Sequence, residues 1–576
     1  MKHLLTTVFT IALLVLALTP TVAVAGPLDT LVVYATTGTS LDAVISADTL
    51  AGGAFKHTVY KLPSRDTTYI YMGAIIVKSS VTFLGVLGTN GRPPCIQPGV
   101  LGDNSIPVTL FNVTGKGAKV TLQNLYLLAL ATNNTNAGGA AVPIQVSADS
   151  VATTINGVVF DGCQNLAIGY NGNWDKFTIL NSRFRNMVHP NQWYIGEVLR
   201  NEYPGTVYTD SVIFRNNTML CINGYASGTV TKYYSKYFEF SHNTIIYTFK
   251  NAFFEFNQAN AKWDNNIFYG LNAGAISKTE MPWWDQLWSP EKSSVIDLDT
   301  LDLAKDSVFN PADKASSNFR MLSEAKRVIE VKNNAWFWPT AITNFWTSWN
   351  DTAHVDSVYT PSWMNPRTAG FFSNKTAFPG FTQSGNVNAD PGFGSGVATV
   401  LTGGSTYGIG LFPWFTEIRR GTALTDLWGY KLTQVGSAVN WVPTWPLPEA
   451  ADMVYTNTAL KTGGTDGKPI GDYTWSGLTG VQEVATGLPT KFELFAAYPN
   501  PFNPSTKIDF ALPSAAIVSL KVFNLLGQQV ATLVAGTMTA GRHSVTFNAN
   551  NLSSGVYMYT LTAGNFVSSR KMLLLK

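Results

Sequence analysis

At 576 residues the chain is long enough for several domains or one long solenoid, and a hydrophobic content of 45% excludes wholesale disorder. Only 13% of residues are charged, against roughly a quarter in ordinary soluble domains, so Asn, Thr, Ser, Gly and Tyr must cover the surface. A net charge of +3 without a long basic run gives no argument for nucleic acid as a partner.

Lys2 and His3 precede an apolar run from Leu4 to Leu18, and Ala23-Val24-Ala25 places small residues where a signal peptidase reads. Residues 1–25 therefore read as a signal peptide cleaved before Gly26, in a run too short for a comfortable bilayer anchor. No later segment is apolar for long enough to span, so no integral membrane span is expected in the mature chain. Leu41, Val44 and Ile45 form one face of a short helix starting near Thr39 or Ser40, placed to plug the first coil of a solenoid. Val59–Leu62, Thr68–Tyr71, Ala74–Val77 and Val81–Gly85 then read as strands.

An irregular repeat follows. Val120-Thr121-Leu122-Gln123-Asn124, Thr178-Ile179-Leu180-Asn181, Ile213-Phe214-Arg215-Asn216-Asn217, Phe240-Ser241-His242-Asn243, Trp263-Asp264-Asn265-Asn266 and Val331-Lys332-Asn333-Asn334 share a form: an apolar residue, a spacer, then Asn or His and usually a second Asn. The spacing of 26 residues from Asn217 to Asn243 and 23 from Asn243 to Asn266 suits one coil of a parallel β-helix. Asn tolerates the left-handed backbone of a tight turn, and stacked amides can bond coil to coil as a ladder. Asn124, Asn181, Asn216, Asn265 and Asn333 are assigned to that ladder as structural residues, and His242 takes an Asn place in it. The expectation is an all-β chain, with a right-handed parallel β-helix over 26–340 and a small β-sandwich at the C-terminus.

The opening strands, with Pro93-Pro94-Cys95-Ile96 after them, resemble secreted pectate-lyase-like β-helix proteins in layout, without a motif of any named enzyme family. The resemblance implies a strand face on which carboxylates bind calcium and an Arg or Lys removes the proton beside a uronate carboxylate. Glu197 and Glu255 are candidate paired carboxylates for glycoside hydrolysis, and Arg200 a candidate lyase base. Tyr170, Asn223, Tyr225 and Asn257 are the glycan-binding candidates on the same face. No cofactor is read from the residues. Calcium enters only with the lyase alternative, and the sequence holds no DxD cluster of calcium-binding type. No metal site is expected, since neither CxxC nor HExxH occurs. Cys95, Cys163 and Cys221, odd in number and far apart, read as buried thiols, although an exported chain can form one bridge.

From 341 to 480, read as the C-terminal part of the β-helix region, the chain is rich in Trp, Pro and Gly, with Trp346, Trp349, Trp363, Trp414, Trp428, Trp441, Trp445 and Trp475 crowded together. The bland reading, irregular loops packed on the last coils, outweighs aromatic platforms for sugar rings, because so many exposed Trp side chains would make a sticky surface. Residues 481–490 read as a linker.

From 491 to 576, three prolines in Tyr498-Pro499-Asn500-Pro501-Phe502-Asn503-Pro504 remove backbone donors, so the segment enters extended and cannot be a central strand. Period-two alternation follows at Ile508, Phe510 and Leu512, at Val518, Leu520 and Val522, and at Val556, Met558 and Thr560, with turns at Gly527, Gly541, Gly555 and Gly564. About seven short strands suit a small sandwich. The Pro-Asn-Pro-Phe-Asn opening, the Gly555-Val556-Tyr557 strand and the ending Arg570-Lys571-Met572-Leu573-Leu574-Leu575-Lys576 together resemble the type A sorting domain of the type IX secretion system of Bacteroidetes-like bacteria. The resemblance implies passage through the type IX translocon, a sortase-like protease as second partner, and a location outside a Gram-negative cell, either free or on its outer-membrane surface. Two functions stay open for the body: a glycan-binding, adhesive or structural β-helix that engages extracellular polysaccharide or other copies of itself, or a polysaccharide lyase or glycoside hydrolase.

Overall fold

The structure is a computed structural model that describes residues 29–575, apart from 37, 66, 137–140, 193–194, 202–207, 229–234, 255–257, 275–293, 299, 301–322, 352–359, 420–423, 425–426, 433, 436–441, 479–491, 496, 498–499, 513–515, 539–540, 551 and 565. The signal-peptide and linker readings lie outside the described residues, as do Glu255, Asn257, Tyr498 and Pro499.

Three parallel sheets run the length of the body, with 11, 10 and 7 strands among the described residues, here called sheets I, II and III. The chain visits them in turn. Ala152–Asn156 lies in sheet I, Val159–Asp161 in sheet II and Leu166–Tyr170 in sheet III, before Asp175–Leu180 returns to sheet I one coil further on. This is a parallel β-helix. Like side chains meet because the register is straight: Ile155 pairs with Ile179, Phe160 with Phe184 and Ile168 with Leu199. The rings of Phe160 and Phe184 stack at 4.8 Å. Successive strand residues face opposite sides, which gives each coil an apolar inner set and a polar outer one.

Thr30–Val32 opens sheet I by pairing with Val59–Pro63. The helix Leu41–Ala47 follows Ser40 and buries Leu41 and Ile45 in the first coils, with Val44 packed beside them. At the other end the β-helix continues beyond the last Asn-Asn repeat. Phe381–Ser384 and Val387–Asn388 add a further strand to sheets I and II. The sequence hides this coil because the helices Thr340–Asp351 and Pro366–Ser373 interrupt it.

Most of the rest of the Trp-rich region folds back on the outer face of sheet II. Trp346, Trp414, Trp428 and Trp475 are buried in a second apolar core with Leu220, Ile246 and Tyr247. Trp336 and Trp363 stack at 4.5 Å against the first core. Cys95, Cys163 and Cys221 are all free and buried.

The C-terminal module has seven strands among the described residues, in antiparallel sheets of three and four. Ile508, Phe510, Val518, Leu520 and Val522 lie in its core, as their period-two spacing predicts. On the strand Gly555–Ala563, however, the opposite face is buried, with Tyr557, Tyr559 and Leu561 inside and Val556, Met558 and Thr560 only half-buried, because one step of parity on a strand exchanges its two faces. No helix among the described residues is long and apolar enough to cross a membrane.

Candidate functional site

Glu197 opens the strand Glu197–Asn201 of sheet III. Its carboxylate is fully buried, 2.6 Å from Nη1 of Arg200 and 3.2 Å from Nζ of Lys250. Lys250 in turn lies over the ring of Tyr225, 3.7 Å from its centroid. The backbone at Gly224 leaves room for this cluster, since a Cβ there would stand 2.1 Å from Cγ of Glu197. Arg200 keeps 20% exposure and Lys250 5%. Burial of one carboxylate against two cations is the arrangement that makes buried charge tolerable. The geometry gives Glu197 and Arg200 to each other and presents neither as a free acid or base to solvent.

The described glycan-binding candidates are buried as well, Tyr170 facing the β-helix core and Asn223 beneath Trp428. Tyr170 shares the inward parity of Ile168, packs on Phe177 at 4.8 Å and holds its hydroxyl 3.1 Å from Oγ1 of Thr209. Asn223 is fully buried and accepts a 2.9 Å bond from Nε1 of Trp428. Tyr225 is 6% exposed. None of the three offers a ring or amide to a sugar at the surface. The sequence reading passed over Lys250, although a lone charge inside the aromatic run Tyr247-Thr248-Phe249-Lys250-Asn251-Ala252-Phe253 was its signal. It also missed the buried group on sheet II. There Nη1 of Arg185 bonds both carboxylate oxygens of Glu449 at 2.9 Å, and Nε lies 3.2 Å from Asp161. Burial pushes the Glu449 carboxyl up, against the pull of Arg185.

Two Asn columns mark the corner between sheets I and II. Asn124, Asn181, Asn216, His242, Asn265 and Asn333 all hold positive φ, between 48° and 57°. Gly157 and Gly385 fill the same place, and at Gly385 a Cβ would stand 1.8 Å from Oδ1 of Asn333. Amide bonds link Asn216 to Asn181 at 2.8 Å and Asn181 to Asn156 at 2.9 Å. The longer internal ladder, however, belongs to the next residue in each turn. Nδ2 of Asn217 donates to Asn243, Asn243 to Asn266, Asn266 to Asn334 and Asn334 to Asn386, at 2.8–3.2 Å. The first column faces a strap instead, the segment from Gly463 to Trp475. Nδ2 of Asn333 donates to the Gly463 carbonyl, Asn265 exchanges bonds with Thr465, His242 meets the Pro469 carbonyl, and the Tyr473 amide donates to Asn216.

The outer face of sheet I divides in two. Thr82, Thr121, Thr154 and Thr178 stand in register on consecutive strands, half-buried and uncharged. The same column continues through Ile213 to Glu239, Lys262 and Glu330. Here charges pair locally: Arg215 with Glu239 at 2.7 Å, Lys262 with Asp264 at 3.0 Å and Lys332 with Glu330 at 2.7 Å. Burial opposes ionisation of Glu239, but Arg215, Ser241 and Tyr237 together hold its carboxyl below the usual range. Among the described residues no group of three His, Cys, Asp or Glu side chains is placed to hold a metal ion.

In the C-terminal module the proline-rich opening is stitched to the final strand. Oδ1 of Asn500 accepts from the Leu573 amide at 2.8 Å, the Phe502 amide donates to the Leu573 carbonyl at 2.9 Å, and the Leu575 amide returns to the Phe502 carbonyl at 3.0 Å. Phe502 is buried, Pro501 and Asn503 are exposed, and the hydroxyl of Tyr557, at the start of the strand Gly555–Ala563, bonds the Ser553 carbonyl. The motif residues thus hold the two ends of the module together. Residues 496–575 match the family described as secretion system C-terminal sorting domain. The module is a type IX sorting domain. The chain that carries this sorting domain is cargo for the type IX machinery, and its destination is the cell surface or the extracellular space. No curated protein and no solved structure matches the chain. The body's likeness to pectate-lyase-like proteins therefore rests on layout alone.

Proposed function

We propose that the β-helix is a non-catalytic extracellular body, one that binds glycans, adheres or serves as structure once the sorting domain has delivered it. The observation that carries this reading is the Glu197 cluster: the described carboxylate is fully buried and ion-paired with its partly exposed candidate base Arg200 and with Lys250. A polar, weakly charged outer face supports it, with the threonine column on sheet I offering hydroxyls to an uncharged polysaccharide or to another copy of the chain. Recognition of that kind rests on hydroxyl and amide hydrogen bonds and depends little on salt.

The test is to incubate the full chain with acidic and neutral polysaccharides, calcium present, and to follow polymer length and retardation in affinity gels. Unchanged length, with retardation that persists at high salt, is the expected result. Shortened chains would replace this reading with the lyase or hydrolase alternative, unsaturated ends marking a lyase.

A further inference from the structure

The sorting domain carries the two most exposed adjacent leucines of the described chain. Leu525 is 73% and Leu526 83% exposed. They sit at the tip of the hairpin between Ala516–Phe523 and Gln529–Met538. Single exposed leucines are ordinary on a protein surface, but this pair is held out by a built turn. The Gly527 amide donates to the Asn524 carbonyl at 3.0 Å, which closes a four-residue turn with both leucines at its centre. Gly527 then adopts φ +76°, the left-handed residue that ends such a loop. Oδ1 of Asn524 accepts from the amides of both Leu526 and Gln528 at 3.0 Å, and its Nδ2 reaches Oε1 of Gln528 at 2.8 Å. Lys521 is the only charged residue from Ala516 to Met538.

A rigid, uncharged tip with two outward leucines loses little conformational freedom on binding and gains by burial of apolar surface. What covers it follows from the match of this module to a sorting domain, whose partner is the secretion machinery. We infer that the Leu525–Leu526 tip is a recognition element of the sorting domain, inserted into an apolar recess of a type IX export component. The stitched ends at Asn500 and Leu573 keep the module folded, whereas the tip makes the contact.

The experiment is the double variant Leu525→Ser, Leu526→Ser of the full chain, expressed in a bacterium with a type IX system and followed by fractionation. The variant Leu525→Met, Leu526→Met and the pair Ile517→Ser, Val567→Ser, exposed elsewhere on the same module, accompany it. The expected result is a roughly tenfold or larger fall in exported protein with accumulation in the periplasm for the tip serines alone, while thermal unfolding of the purified chain stays unchanged. Normal export of the tip variant, or an equal loss from the Ile517 and Val567 variant, would overturn the inference. So would a dimer that the tip serines dissociate while export persists, since the leucines would then serve contact between copies.

Discussion

Asn265 and Thr465, 200 residues apart in sequence, exchange two hydrogen bonds: Nδ2 of Asn265 donates to Oγ1 of Thr465, and the Thr465 amide donates to Oδ1 of Asn265, each at 2.9 Å. Asn265 also holds φ 57°, so one residue makes the turn and binds the strap that crosses it. These two roles can be separated. Asn265→Gly keeps the left-handed turn and removes both bonds, and is expected to cost about 1–2 kcal/mol. Asn265→Ala adds the left-handed penalty of roughly another 1–2 kcal/mol. Denaturant midpoints of the two variants check this, and equal midpoints would show that the turn conformation contributes nothing.

The internal ladder is less forgiving. Asn266 is fully buried, donates to the Phe240 carbonyl at 2.7 Å and to Asn334 at 2.8 Å, and accepts from the Asn243 amide at 2.8 Å. Asn266→Leu leaves several of these groups without partners, each at about 1–3 kcal/mol. We expect a loss of stability larger than that of Asn265→Gly, measured under the same denaturant.

Glu197→Gln removes the charge that holds Arg200 and Lys250 together. Breaking a buried pair costs about 3–5 kcal/mol, and the lower end applies because Arg200 keeps 20% exposure. The expected outcome is a lowered unfolding midpoint with polysaccharide retardation intact in the protein that remains folded. A variant as stable as the parent that loses function would mark Glu197 as a working carboxylate.

Asp175 introduces a pH dependence. Burial raises its carboxyl from 3.8 to about 8, opposed by the Val151 amide that donates to Oδ1 at 2.8 Å and aided by Asp149. Between those values the folded chain keeps a proton that the unfolded chain has released, so this group's contribution is full below the unfolded pKa and is lost as pH rises toward 8. Buried His242, whose pKa is lowered chiefly by burial, acts in the opposite sense. The melting temperature of Asp175→Asn should therefore rise relative to that of the parent as pH rises across that window. A constant difference would refute the assignment.

Much of the fold was legible because it is local. An Asn that must adopt positive φ once per coil marks each corner of the β-helix, and strand alternation marks what lies between, so the coils from Lys119–Gln123 to Val328–Lys332 could be counted from the sequence. The paired Asn-Asn steps were legible too, but which member forms the long ladder was not. Asn216 and Asn217 differ by one residue, and that residue decides whether the amide turns to the strap or into the core. Which candidate residues face the core was hidden for the same reason. Tyr170 and Arg200 look alike as polar strand residues, yet one step of parity puts Tyr170 among the core rings while Arg200 lies across from Gly169.

The sequence by itself determined the route of export and the class of fold, since the sorting motif is a contiguous string and the β-helix repeat recurs within tens of residues. Only the tertiary structure decided what the Trp-rich region does and where the charges go. Trp428 meets Asn223, Glu449 meets Arg185 and Thr465 meets Asn265 across 200 residues or more. No periodicity carries such pairings. They arise where a returning segment buries polar groups on a finished sheet, and each buried group must then find its partner there.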